Sequence, residues 1–235
     1  MGMNVFPEIL PDEIIQRAKK LNPALLADGM KGLGILQDGA MEAAIMPVNP
    51  DPALTMVGTA VTVETADGDN FPIHVASYSA PGEGYVMVID GKNYPDRAYF
   101  GDLIMGACKA MGYTGMVIDG YTRDRQGCIE MEFPVFSKGQ MQAGPTKKEI
   151  GTINGAIVCG GVSVQPGDLV VGGADGVTVV PRGRIGGVLQ KAEEKAAYEK
   201  KRDTAIAAYA EAKAEGKPLP QLAPQWVLDL LKGRD

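Results

Sequence analysis

At 235 residues and 45% hydrophobic, the chain can bury one substantial core, and its net charge of −6 excludes a nucleic-acid binder held by phosphate contacts. One Trp and five Phe offer few platforms for stacked bases. Three cysteines without a CxxC pair, and a single histidine, exclude a disulfide framework and a structural zinc site.

The opening MGMNVFPEILPDEII lacks the basic and apolar regions of a signal peptide, and Phe6 stands where a myristoylation site wants Ser or Thr. No apolar run approaches the ~18 residues of a membrane span. The expectation is a soluble, cytoplasmic protein with no membrane or nucleic-acid partner. Residues 11–20 (PDEIIQRAKK) begin acidic and end basic, as a helix dipole favours. Asn22 to Gly32 predicts a second helix; Lys31-Gly32-Leu33-Gly34 lacks a Gly at 37, so it is not a dinucleotide loop. From 40 to 65 the pattern is short strands broken by prolines, the clearest over Val57–Val63. A turn at Asp67–Asn70 feeds a helix over Phe71–Ser79. His74 within it reads as structural, the usual role of a lone histidine on such a segment.

The pentapeptide MVIDG occurs twice, at 87–91 and 116–120, each time an apolar run stopped by Asp-Gly. Between the copies, a helix is predicted over about 102–111, with Asp102 as its N-cap and Gly112 as its stop. Strand, helix and strand then form one right-handed βαβ unit. Both strand ends and the helix N-terminus open onto one edge, where Asp102 meets the loop carrying Arg123-Asp124. Such an edge suits an anionic ligand. Further on, Phe133–Phe136 predicts a buried strand and 138–149 a polar loop. From 150 to 181, β-branched runs are separated by tight turns at Pro166–Asp168 and Gly173–Gly176, the second a hairpin. Ile185–Glu215 predicts a long helix rich in Ala, Glu and Lys, and Trp226, Val227, Leu230 and Leu231 a short one that docks on the body or on a partner subunit.

Carboxylates without Cys or His neighbours suit a hard cation held largely by water, and an Arg fork suits a carboxylate or enolate oxygen. Asp102, twenty intervening residues, then Arg123-Asp124 resembles the signature of the RraA-like / 4-hydroxy-4-methyl-2-oxoglutarate aldolase family. GDN at 68–70 with His74 after it, PVF at 134–136 and PGDLVVGGADGVTVVPR at 166–182 extend the resemblance over roughly residues 20–205. Many relatives carry Asp where this chain has Gly173, a departure in a turn.

The resemblance implies an α/β fold with a β-rich core flanked by helices, similar to the swivelling phosphohistidine domain (α/β/β), with a long C-terminal helix. It implies a catalytic domain over 1–184 and a helical extension over 185–235 that packs on a neighbouring subunit of a homotrimer or homohexamer. The implied chemistry is that of a class II pyruvate aldolase with oxaloacetate decarboxylase activity, using Mg²⁺ or Mn²⁺. In that scheme Asp124 holds the metal and Asp102 acts on a water beside it. Arg123 stabilises the enolate. The small 2-oxo acid substrate sits against Gly101, Asp102, Leu103, Ile104 and Arg123. A glutamate from the adjacent subunit's C-terminal helix corresponds to Glu199, with Glu194 a near rival. The alternative is the branch that binds ribonuclease E without chemistry. That branch loses the metal-binding Asp and the long helix, and this chain keeps both.

Overall fold

The computed structural model describes residues 1–35 and 39–232. A short strand β1 (Gly2–Met3) is followed by helices α1 (Asp12–Ala18) and α2 (Pro23–Gly32), then β2 (Met46–Pro47) and the nine-residue β3 (Met56–Glu64). Helix α3 (Phe71–Ser79) leads to β4 (Tyr85–Asp90), β5 (Ala98–Phe100), α4 (Asp102–Ala110), β6 (Gly115–Ile118) and β7 (Tyr121–Thr122). After α5 (Arg125–Met131) come β8 (Val135–Ser137), β9 (Gly139–Gln140) and β10 (Thr152–Ile153). The hairpins β11–β12 (Ile157–Cys159, Val162–Val164) and β13–β14 (Leu169–Gly173, Gly176–Val180) precede α6 (Ile185–Ala214) and α7 (Gln225–Lys232). Helix α6 runs without interruption.

The main sheet has the order β1-β10-β3-β4-β6-β8-β2, with β13 and β14 attached alongside β3. Its centre, β3, β4, β6 and β8, is parallel, and α3, α4 and α5 make the crossovers. The two MVIDG copies are neighbours in matching register, Met87 opposite Met116 and Ile89 opposite Ile118. Because side chains alternate along a strand, these residues pack against α3 and α4 through Ile73, Ala76, Ile104, Met105 and Cys108. Val86, Val88 and Val117 turn the other way, onto Val170, Val177 and Val179 of the hairpin layer. The result is three layers, helices on sheet on hairpins. Each fully buried Val, Ile or Met among these is worth about 1.5–3 kcal/mol of transfer free energy.

The Asp-Gly ends of the repeat differ from the sequence expectation of an open edge. Asp90 binds the Lys92 ammonium and backbone N–H, while Asp119 forms an ion pair with Lys138 Nζ at 2.7 Å through Oδ1 and accepts from the Gly160 N–H at 3.2 Å through Oδ2. Both glycines lie on the Tyr99 ring, since a Cβ at Gly91 or Gly120 would come 3.0 Å from its Cε2. These four residues anchor loops. Arg123 and Asp124 lie in the loop that follows the second copy, and Asp102 at the start of the helix between the copies.

The chain divides into two compact units, Met1–Ala192 and Glu193–Asp235. In the second, α6 continues to Ala214, and α7 exposes Trp226, Leu230 and Leu231. Residues 233–235 of the expected extension lie outside the described residues. No helix among the described residues is long and apolar enough to cross a membrane.

Candidate active site

Helix α4 starts one residue earlier than its composition suggests. Gly101 is the N-cap, in extended backbone with φ −140° and ψ −160°, and Asp102 is the first helical residue, with no side-chain cap bond. Asp is a good N-cap, so the sequence preference is overruled. The reason is space. A Cβ at Gly101 would overlap Asp124 Oδ2 and lie 2.9 Å from the Asp124 Cγ and 3.0 Å from the Arg123 Cγ. With no capping side chain, the N–H groups of Asp102, Leu103 and Ile104 are left to an external acceptor.

The Arg123-Asp124 loop is held by the Arg123 N–H donating to the Phe100 carbonyl at 3.0 Å. Asp124 adopts a left-handed backbone, φ 57° and ψ 42°, a conformation Asp tolerates better than most residues. That turn aims its carboxylate back over Gly101. Arg123 Nε lies 3.3 Å from Asp124 Oδ2, but without hydrogen-bond geometry, so Nε stays buried with no hydrogen-bond partner. Asp102 is placed in the same manner as Asp124, because a Cβ at Gly127 in α5 would come 2.9 Å from the Asp102 Cβ and Oδ2. Gly144 completes the set, its missing Cβ lying 2.9 Å from Arg123 Nη1. Each of the three charged residues thus rests against a glycine.

Asp102, Arg123 and Asp124 share a cleft of about 390 Å³ with Asn70, His74 and Lys147. The last three were not assigned to a site from sequence, and His74 was expected to be structural. They arrive through long-range pairing: the Thr146 N–H donates to the Gly68 carbonyl at 2.8 Å, and the Asn70 N–H to the Thr146 carbonyl at 3.0 Å. Burial, and secondarily the Lys147 charge, pushes the His74 imidazole below its ordinary 6.5. It is therefore neutral at pH 7.

A larger cleft, about 620 Å³, lies near Ile9, Leu10, Ile15, Glu83 and Gly112. It opens where β4 and β6 begin, whereas ligands of parallel sheets bind beyond the strands' carboxyl ends. The smaller cleft is the one lined by Asp102, Arg123, Asp124 and Lys147.

Among the described residues no three His, Cys, Asp or Glu side chains converge as a closed metal cage. Two carboxylates in an open cleft instead fit a hard cation that keeps most of its waters, as Mg²⁺ does. Leu103 is 85% exposed at the cleft, while Gly101 and Ile104 are buried. Glu199 belongs to the second unit, exposed on α6 and 3.9 Å from Lys195 one turn earlier. Glu194 is exposed on the same helix.

The model of the RraA-like family (Aldolase/RraA) matches residues 24–179. The chain belongs to the RraA-like family. A curated relative from Halalkalibacterium halodurans, provisionally named 4-hydroxy-4-methyl-2-oxoglutarate aldolase, is 40% identical over 195 residues, covering 83% of this chain and 89% of its own. Among solved structures, an uncharacterised Pseudomonas syringae protein superposes with a TM-score of 0.71 at 25% identity, covering 90% of this chain and 97% of its own. RraAS2 of Streptomyces coelicolor, described as an unusual member of the RNase ES inhibitor RraA family, gives 0.70 at 21% identity, over 83% of this chain and 97% of its own. At that identity it shows the RraA-like fold alone.

Proposed function

We propose that this RraA-like protein is a divalent-metal-dependent lyase that cleaves 4-hydroxy-2-oxo acids to pyruvate and a second carbonyl product, and decarboxylates oxaloacetate. The observation that carries the reading is the Asp124 carboxylate packed on Gly101 at the uncapped start of α4, with Arg123 beside it. Asp124, with Asp102 nearby, is the residue to hold Mg²⁺ or Mn²⁺. When bound, the cation supplies Lewis acidity toward the substrate's carboxylate and keto oxygens.

The chain's own groups account for the remaining steps. The N–H groups of Leu103 and Ile104 receive the C1 carboxylate. Asp102, through a water, takes the proton of the C4 hydroxyl. The C3–C4 bond breaks, its electron pair passes to C3 as the pyruvate enolate, and C4 becomes the carbonyl of the second product. The Arg123 fork stabilises the enolate oxygen as its charge develops, and a proton returned to C3 gives pyruvate. Oxaloacetate reaches the same enolate by losing CO₂. A glutamate donated by a neighbouring subunit of a trimer or hexamer, Glu199, is the third carboxylate of this scheme, and the cytoplasm its compartment. Retention of Asp124 and of the 30-residue α6 favours an enzyme over a ribonuclease E regulator.

The test is pyruvate release over a panel of 4-hydroxy-2-oxo acids and oxaloacetate. EDTA should abolish it, Mg²⁺ or Mn²⁺ should restore it, and Asp124→Ala should not respond to either. Metal-independent release by the Asp124→Ala protein would sink the reading.

A further inference from the structure

The site stands on a small sheet of its own. Strands β5, β7 and β9 pair in parallel, in that order, and share no ladder with the main sheet among the described residues. Each leads into the cleft. β5 runs into Gly101-Asp102, β7 into Arg123-Asp124, and β9 into the segment that brings Gly144 against Arg123 Nη1. β5 carries one extra residue, Tyr99, between its pairings Ala98–Tyr121 and Phe100–Thr122, a bulge of the kind that re-aims a strand beside a site. The ladder continues past the strand ends, with the Arg123 N–H on the Phe100 carbonyl at 3.0 Å and the Met141 N–H on the Thr122 carbonyl at 2.9 Å.

Thr122, on the central strand, is fully buried, and its hydroxyl is one link in a side-chain relay. Gln140 Nε2 donates to Thr122 Oγ1 at 3.0 Å, Thr122 Oγ1 lies 3.3 Å from Ser137 Oγ, and Ser137 Oγ donates to the Gly139 carbonyl at 3.2 Å. A serine has one hydroxyl proton, and Ser137 gives it to Gly139, so Thr122 is the donor between the two hydroxyls. Every bond therefore runs one way, from Gln140 through Thr122 and Ser137 to Gly139. Gln140 also lines a further cleft of about 290 Å³ together with Arg123 and Asp124.

Asp124 is the reason such a clamp is needed. Its left-handed backbone is a conformation that non-glycine residues keep only where their surroundings hold them. Its carboxylate makes no cap bond to α5, and its contact with Arg123 Nε lacks hydrogen-bond geometry. Besides the first turn of α5, the hold comes from the backbone just before it. We infer that Thr122, fixed between Gln140 and Ser137, is a positioning residue that sets Arg123 and Asp124 for the enolate and the metal. It touches neither and acts through the strand. The inference rests on the metal-dependent lyase reading above.

The experiment compares wild type with Thr122→Val, Thr122→Ser, Gln140→Leu and a control, Thr178→Val. Thr178 is also buried and gives its hydroxyl to the Pro23 carbonyl at 3.0 Å, in the hairpin layer. Pyruvate release gives kcat and KM, electron paramagnetic resonance gives Mn²⁺ affinity, and thermal unfolding gives stability. Thr122→Val should lower kcat and Mn²⁺ affinity about 10-fold or more, with KM within about threefold of wild type. Thr122→Ser should recover most of both. Gln140→Leu should shift both the same way, and because Gln140 is exposed this variant is readable even where Thr122→Val fails to fold. Thr178→Val should lose stability as Thr122→Val does while keeping kcat and Mn²⁺ affinity. Thr122→Val matching Thr178→Val in kcat and Mn²⁺ affinity, Thr122→Ser no better than Thr122→Val, or Gln140→Leu with wild-type values overturns the positioning role. A wild-type protein that neither releases pyruvate nor binds Mn²⁺ overturns the lyase reading and this inference with it, a result distinct from the others.

Discussion

The distance between Asp124 and the first turn of α4 is set by a methyl group that is not there. Gly101 needs no special backbone, so Gly101→Ala is not expected to strain the chain; it displaces the carboxylate that would occupy the same space. Misplacing a reacting group by about 1 Å commonly costs ~10²-fold in rate. Gly101→Ala should therefore lose about that factor in pyruvate release with a thermal midpoint close to wild type; full activity would show that Asp124 is not the metal ligand. His74 gives a residue-scale test of the environment. Its pKa in the folded protein lies below 6.5, so on acidification the unfolded chain takes the proton first. Stability is unaffected by His74 above that pH and falls as pH drops through 6.5 toward the folded value. Wild type should lose stability relative to His74→Gln as the pH falls below about 6.5, and an imidazole NMR titration centred at or above 6.5 would refute it.

At the scale of elements, α4 and the strands β4 and β6 could be read directly. Their apolar positions recur at the helix and strand periods, and the duplicated MVIDG predicted a parallel pair that proves to lie in matching register. The three charged residues Asp102, Arg123 and Asp124 were legible because they sit at the ends of those elements. Asn70 and Lys147 were not, since their place depends on hydrogen bonds between the 68–70 turn and Thr146, and nothing local encodes a pairing across so many residues. The N-cap was misassigned because propensity ignores the neighbour that needs the room. The aspartates of the repeat were also legible as loop ends but not as ion-pair partners. Lys138 has a side chain only 8% exposed and is bound to Asp119 and Glu42. Lys138→Met should destabilise by about 3–5 kcal/mol, because it leaves Asp119 buried and uncompensated. Urea unfolding measures it; a loss under 1 kcal/mol would mean that water replaces the lysine.

At the scale of the whole molecule, the cleft gathers two carboxylates among the described residues, Asp102 and Asp124, and a third would come from a neighbouring copy. Glu199 on α6 is spaced from Lys195 as a surface pair, an interaction of small worth by itself. If a neighbouring copy supplies it, Asp124→Ala and Glu199→Ala proteins, each inactive, should regain activity when their subunits are mixed after reversible dissociation. Some interfaces then hold both intact residues. An active monomer, or a fully active Glu199→Ala protein, would remove Glu199 from the mechanism.

The glycines beneath the charged residues also bear on how this site can change over generations. Every single-base missense change of a glycine codon introduces at least a Cβ, so Gly101 and Gly127 have no conservative neighbour in codon space. Their clash partners are short aspartate side chains, with little freedom to retreat. At Gly144 the partner is the far end of a long arginine, which can swing aside. Under selection for turnover, substitutions at 101 and 127 should vanish from a variant library as fast as those at the aspartates they support, while alanine at 144 persists.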